Sequence, residues 1–245
     1  MGDRSGIEVL VVEVKGLSCS FRPPLDHNYQ RTLPFPPPTT ILGLAGAALG
    51  LSEAELWDPK GFLRGLRVSV LTKSEPGWAK DTWTLMKIAG RKIKIERSPY
   101  LRELLFFPTY TLVFGSDPEL LRDLREALLD PCYALSLGRE DELIVVTATE
   151  LVEVHPGEPF FSGTVLPLDI AKTEARVRGL PAGRTKPPLT ARLPLAFTVK
   201  GGIRHPTRTK EFTFIPHSFP PLEVPELAPM ALALRGRNFV WLNQD

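Results

Sequence analysis

The chain has 245 residues, of which 43% are hydrophobic and 24% charged, with a net charge of +2 and two cysteines. That length supports a real core, as one large domain or two small ones, and no apolar run reaches the roughly 18 residues of a membrane span. Met1-Gly2-Asp3-Arg4-Ser5 lacks the basic-then-apolar order of a signal peptide, so a cytoplasmic protein without a membrane partner is expected.

Ile7 to Lys15 alternates and is β-branched, which predicts a first strand. An irregular loop follows from Phe21 to Pro38, containing Arg22, Tyr29 and Arg31. Pro36, Pro37 and Pro38 fix an extended approach to a helix expected from Ile41, with Thr39 or Thr40 as its cap. Gly43, Gly46 and Gly50 fall on one face of that helix. An interior glycine costs about 1 kcal/mol relative to alanine, so the bare face implies a close neighbour, which is either another element of the chain or a partner.

Leu66–Thr72 reads as a second strand. Residues 73–107 place Trp78, Trp83 and Tyr100 among Lys80, Lys87, Arg91, Lys92, Lys94, Arg97 and Arg102, and predict a projecting hairpin turning at Ala89-Gly90. Thr109–Phe114 is a further strand. Asp117-Pro118 opens a helix whose Leu120, Leu121, Leu124, Ala127 and Leu128 recur at helical spacing, and Leu143–Thr147 is another strand. The order β-α-β, arm, β-α-β predicts an α+β, ferredoxin-like domain over 1–147, with two helices on one face of an antiparallel sheet and the other face free. Residues 148–245 are expected to form a β-rich half packed on it, with short strands near 151–154, 193–200, 211–215 and 238–242.

Charge is unevenly spread. Acids crowd Asp117–Glu158, whereas Lys172–Lys210 is mostly basic and includes Arg192, Arg204 and Arg208. Two cationic segments flanking an acidic middle suit a polyanion on one side and a protein on the other. Cys19 and Cys132 have no CxxC spacing or histidine cluster, so both are expected as buried thiols, with no metal and no cofactor. The four histidines show no ligand spacing. His205, beside Arg204, Arg208 and Lys210, and His27, near Tyr29 and Arg31, are the candidates for metal-independent RNA cleavage. In Leu137-Gly138-Arg139 the glycine would let the guanidinium leave the sheet's end toward a ligand.

The first strand with Gly16 and Phe21, the loop to Tyr29, the run Leu33–Gly50 and Tyr133-Ala-Leu-Ser-Leu-Gly-Arg139 together resemble the Cas-five family of CRISPR-associated proteins, a subunit of type I Cascade complexes. The resemblance implies a RAMP (RRM-like, ferredoxin-like) fold with a thumb hairpin at 73–107. It also implies binding of the 5′ handle of a CRISPR RNA (crRNA), contact with the backbone and large subunits, and target DNA reached through the complex. Carried over by position, Arg22, Tyr29, Arg31, Thr39, Thr40, Gly43 and Gly46 would lie against the handle, and Lys87, Arg91, Lys92 and Lys94 on the thumb, with Arg139, Arg204 and Arg208 as further RNA contacts. One branch of the family cleaves precursor RNA with a set that includes an adjacent Lys-His pair. This chain has no Lys-His dipeptide, so a binding role with no catalytic residue is expected, with the endoribonuclease and a protein-docking scaffold as alternatives.

Overall fold

The computed structural model describes residues 6–24, 26, 29–87, 96–179 and 185–244. In chain order the elements are β1 (Ile7–Gly16), β2 (Ser18–Cys19), α1 (Pro38–Leu49), α2 (Glu53–Leu56), β3 (Arg67–Thr72), β4 (Gly77–Lys87), β5 (Glu96–Phe106), β6 (Thr109–Gly115), α3 (Pro118–Leu129) and β7 (Ile144–Pro156). There follow β8 (Phe160–Phe161), β9 (Thr164–Leu166), β10 (Arg176–Val177), β11 (Leu189–Lys200), β12 (Ile203–Ile215), β13 (Leu222–Glu223), β14 (Leu232–Leu234) and β15 (Arg237–Phe239).

The fold is mixed α/β, built on one large antiparallel sheet. Its strand order is β11-β12-β9-β3-β6-β1-β7-β14-β15, so residues beyond 148 extend both edges of the sheet that the first half begins. β1 sits near the middle because Val9 to Val12 are buried in succession, which only a strand covered on both faces permits. On one face Leu10, Val12 and Val14 share a core with Ile41, Leu44 and Ala48 of α1 and Leu121, Leu124 and Leu128 of α3.

The opposite face is not free, contrary to the expectation. Val9, Val11, Leu71 and Val113 are as apolar as their counterparts, and Leu232, Leu234, Phe239 and Trp241 of the carboxyl-terminal segment cover them. The two strand pieces expected at 143–147 and 151–154 are one continuous strand, β7, paired along the whole of β1 with a bulge beside Glu13. Alternation with polar residues had hidden its length, because much of β7 is solvent-facing.

α3 begins as expected, with the Asp117 carboxylate accepting the Leu120 N–H at 3.0 Å. α1 does not. It starts at Pro38 with Pro37 as cap, and no threonine side chain caps it. Pro38 has no N–H to satisfy, and the carbonyl of Pro37 accepts the N–H groups of Thr40 and Ile41, so the proline run itself begins the helix. Of the cysteines, Cys19 is buried, and burial followed by the charge of Glu142 pushes its thiol up to about 12. Cys132 is exposed, a correction that follows from its place in the turn after α3.

β4 and β5 pair antiparallel from Gly77↔Phe106 to Lys87↔Glu96, and β2 joins them as a small second sheet. The turn expected at Ala89-Gly90 lies outside the described residues. Among the described residues no helix is long and apolar enough to cross a membrane.

Candidate nucleic-acid interface

Three segments remote in sequence meet at one cavity of about 420 Å³. The first is the loop after β2. It closes on itself where the Phe21 N–H donates to Thr32 Oγ1 and the Leu33 N–H to the Phe21 carbonyl. It is then laid along β5, where the Gln30 carbonyl accepts the Glu103 N–H at 2.7 Å and Glu103 Oε2 accepts the Thr32 N–H at 3.1 Å. Arg22, Gln30 and Arg31 are thereby turned to the cavity.

The second segment is the β4–β5 hairpin. Successive side chains on a strand point to opposite faces, and the register pairs Asp81 with Arg102 and Trp83 with Tyr100, which brings Trp83 and Arg102 to the cavity wall. The third is the turn between α3 and β7. Gly138 adopts φ +120°, a region that side-chain-bearing residues rarely occupy, and a Cβ there would stand 2.3 Å from Glu142 Oε2 and 2.5 Å from the Ser20 carbonyl oxygen. The turn therefore needs glycine, and it delivers Arg139 into the cavity.

Arg139 Cζ lies 4.3 Å and Arg102 Cζ 5.1 Å from the centroid of the Trp83 ring. Both distances fall within the cation–π range. The Trp83 Nε1 atom is buried and has no hydrogen-bond partner among the described residues. An indole N–H is a donor only, so it lacks an acceptor.

The arginines are held by carboxylates set behind or beside them. Arg31 makes a bidentate pair with the buried Asp26 at 2.8 and 2.6 Å. That hydrogen bond, ahead of the opposing effect of burial, holds the Asp26 carboxyl below its ordinary range and raises the Arg31 guanidinium. Arg102 Nε donates to Asp81 at 2.9 Å, while Arg139 reaches Asp141 at 3.5 Å and donates to Gln30 Oε1 at 3.4 Å. A guanidinium keeps several donors after one such pair, so the wall offers N–H groups to an anion beside a flat aromatic surface.

Of the residues expected to touch RNA, the cavity gathers Arg22, Arg31 and Arg139. Tyr29 is exposed on the same loop. Thr39 and Thr40 are half-buried in the first turn of α1, away from the cavity lining. The glycine face divides three ways. Gly46 packs under Leu56 of α2, Gly50 is the left-handed C-cap at φ +74°, and among the described residues Gly43 has no atom within 4 Å of where a Cβ would stand.

Arg204 is ion-paired with Glu53 of α2, and Arg208 lines a separate groove with Leu195 and Trp57. Lys87 ends β4, while Arg91, Lys92 and Lys94 lie outside the described residues, as does His27. His205 pairs with Thr198 in the β11–β12 hairpin and does not line the cavity. Trp78 is 46% exposed and stands over a proline-lined groove.

Sequence reasoning had not singled out Gln30, Ser20 or Glu142. Arg102 and Trp83 were in view only as members of a basic, aromatic arm, and the signal that joins them to Arg139 is tertiary. Among the described residues no group of three or more His, Cys, Asp or Glu is placed to hold a metal ion.

Several solved structures are similar to the chain. A CRISPR protein from Archaeoglobus fulgidus superposes with a TM-score of 0.51 at 15% identity, over 96% of this chain and 99% of that one. A chain of a structure titled as a CRISPR RNA-guided surveillance complex does so with a TM-score of 0.51 at 14% identity, over 89% and 92%. A structure titled as that of a Cas protein shares 23% identity with a TM-score of 0.40, and there 55% of this chain spans 58% of the other. No curated protein matches the chain. The profile of the family described as CRISPR-associated protein (Cas_Cas5) matches residues 9–205, which carry the β3-β6-β1-β7 core of the large sheet and every described wall of the cavity, and the chain belongs to that family.

Proposed function

We propose that the chain is a non-catalytic RNA-binding subunit of a type I CRISPR effector complex, and that it grips the 5′ handle of the crRNA at the cavity beneath the β4–β5 hairpin. The observation that carries this reading is Trp83, with the guanidinium groups of Arg139 and Arg102 against its ring and an indole N–H that has no acceptor among the described residues. Guanidinium groups suit bidentate phosphate contacts and aromatic rings suit bases splayed from a single strand. In this reading β3-β6-β1-β7 with α1 and α3 is the ferredoxin-like unit, β4–β5 is the thumb, and the backbone and large subunits are the neighbours. The four-strand order, with both helices on one face, supports it.

Binding without cleavage is supported by the composition of the wall. Arginine does not act as a proton acceptor near neutral pH, and the Glu103 carboxylate is engaged by the Thr32 N–H. The test is incubation of purified protein with repeat RNA in EDTA, against a scrambled strand of equal length. Selective retention of intact repeat RNA is expected. A discrete cleavage product lost on His205→Ala would replace this reading with the endoribonuclease.

A further inference from the structure

Glu142 is 3% exposed and stands behind the cavity rather than in its wall. Its carboxylate joins two of the three segments that build the site. Oε2 accepts the Ser20 N–H at 2.7 Å and the Arg139 N–H at 2.8 Å, while Oε1 accepts the Ser20 hydroxyl at 2.7 Å. Its own backbone closes the turn, with the Glu142 N–H donating to the Arg139 carbonyl and the Leu137 N–H to the Glu142 carbonyl. The absence of a Cβ at Gly138 is what lets this carboxylate approach, since that atom would lie 2.3 Å from Oε2.

Burying a carboxylate is costly unless it is hydrogen-bonded, and the three donors here come from the root of the Arg22 loop and from Arg139 itself. Hydrogen bonds to an ionised acceptor are the short, strong class. We propose that Glu142 is the positioning residue of the RNA site: it sets the backbone at Arg139 against the loop rooted at Ser20, so that the Arg139 guanidinium rests on Trp83. This role rests on the reading of the cavity as an RNA site.

Two substitutions separate position from charge. Glu142→Gln removes the charge and keeps the geometry, because the amide oxygen accepts both N–H groups and the NH₂ donates to the rotatable Ser20 hydroxyl. Glu142→Asp keeps the charge but is one methylene short of the same donors. Positioning predicts repeat-RNA affinity within about twofold of wild type for Glu142→Gln and about tenfold weaker for Glu142→Asp. It also predicts that Arg139→Ala adds little on top of Glu142→Asp.

Weak binding by Glu142→Gln with wild-type binding by Glu142→Asp would overturn positioning in favour of charge, and wild-type binding by both would overturn it outright. Should Glu142→Asp fail to fold, Ser20→Ala deletes one bond of the same clamp and is expected to weaken binding about threefold, with wild-type binding overturning the proposal. If Arg139→Ala and Trp83→Ala both bind as wild type, the RNA reading of the cavity falls and this role with it. If those two weaken binding and the Glu142→Asp and Ser20→Ala variants do not, positioning alone falls.

Discussion

The guanidinium carbon of Arg139 lies over the ring of Trp83, 4.3 Å from its centroid, although one leaves a turn before β7 and the other stands mid-strand in the β4–β5 hairpin. The contact ties the hairpin to the large sheet through a cation and a π face, a geometry worth about 0.5–2 kcal/mol. It also leaves the ring beside a cavity that an RNA base could enter.

Replacing Trp83 by alanine is therefore expected to weaken repeat-RNA binding by about 10- to 100-fold, the range of one lost base–aromatic stack. Trp83→Phe keeps a ring but loses the unpartnered N–H, and should fall between the two. Fluorescence anisotropy with labelled RNA measures both. Wild-type affinity for Trp83→Ala would remove the ring from the site.

Gly138 combines a left-handed φ of +120° with contacts of 2.3 and 2.5 Å for any added Cβ. Gly138→Ala should cost about 2–4 kcal/mol of stability, since backbone strain and a steric clash act together. Denaturant unfolding reads this directly, and an unchanged midpoint would mean that the turn relaxes freely.

Much of the core was legible because its signals are local. Alternating β-branched residues in Ile7–Lys15 and the Asp117-Pro118 helix start were sufficient for β1 and α3. The Leu-Gly-Arg turn was legible for a similar reason, as a glycine before arginine at a strand's approach. The start of α1 was not, because two threonines beside a helix look like caps while the prolines before them perform the task through a carbonyl. Nor was the cover over the second sheet face, since Leu232, Leu234 and Trp241 meet Val9 and Val11 only after the chain has crossed the whole sheet. The cavity shows both sides of this. Arg22, Arg31 and Arg139 were named from the sequence, whereas the pairings that aim them, to Asp26, Gln30 and Trp83, depend on how the loop lies on β5.

The Asp26–Arg31 pair makes a pH prediction with a definite sign. The Arg31 hydrogen bond depresses the Asp26 carboxyl in the folded state, so its stabilisation is complete above the ordinary aspartate range near pH 4 and is lost as pH falls through the lowered folded value. The stability difference between wild type and Asp26→Asn should be flat from about pH 7 to 5 and shrink below about pH 4. A difference that grows on acidification would contradict the assignment.

The glycine face predicts opposite outcomes at two positions. A Cβ at Gly43 would meet nothing within 4 Å among the described residues, so Gly43→Ala should stabilise the free chain by about 0.5–1 kcal/mol through helix propensity. At Gly46 a Cβ would stand 2.9 Å from Leu56 Cδ1, and Gly46→Leu should displace α2 at a cost of about 1–3 kcal/mol. Thermal melts of both variants decide this, and a destabilised Gly43→Ala would show that its bare face is covered by the chain itself.

The most direct measurement is an equilibrium titration of handle-bearing repeat RNA across a series of salt concentrations, for wild type and Arg139→Ala. We expect log K to fall linearly with log salt, Arg139→Ala to bind more weakly with a slope shallower by about 0.7, and a scrambled strand of equal length to bind less tightly than the handle. Salt-insensitive binding, or equal affinity for any strand of that length, would contradict it.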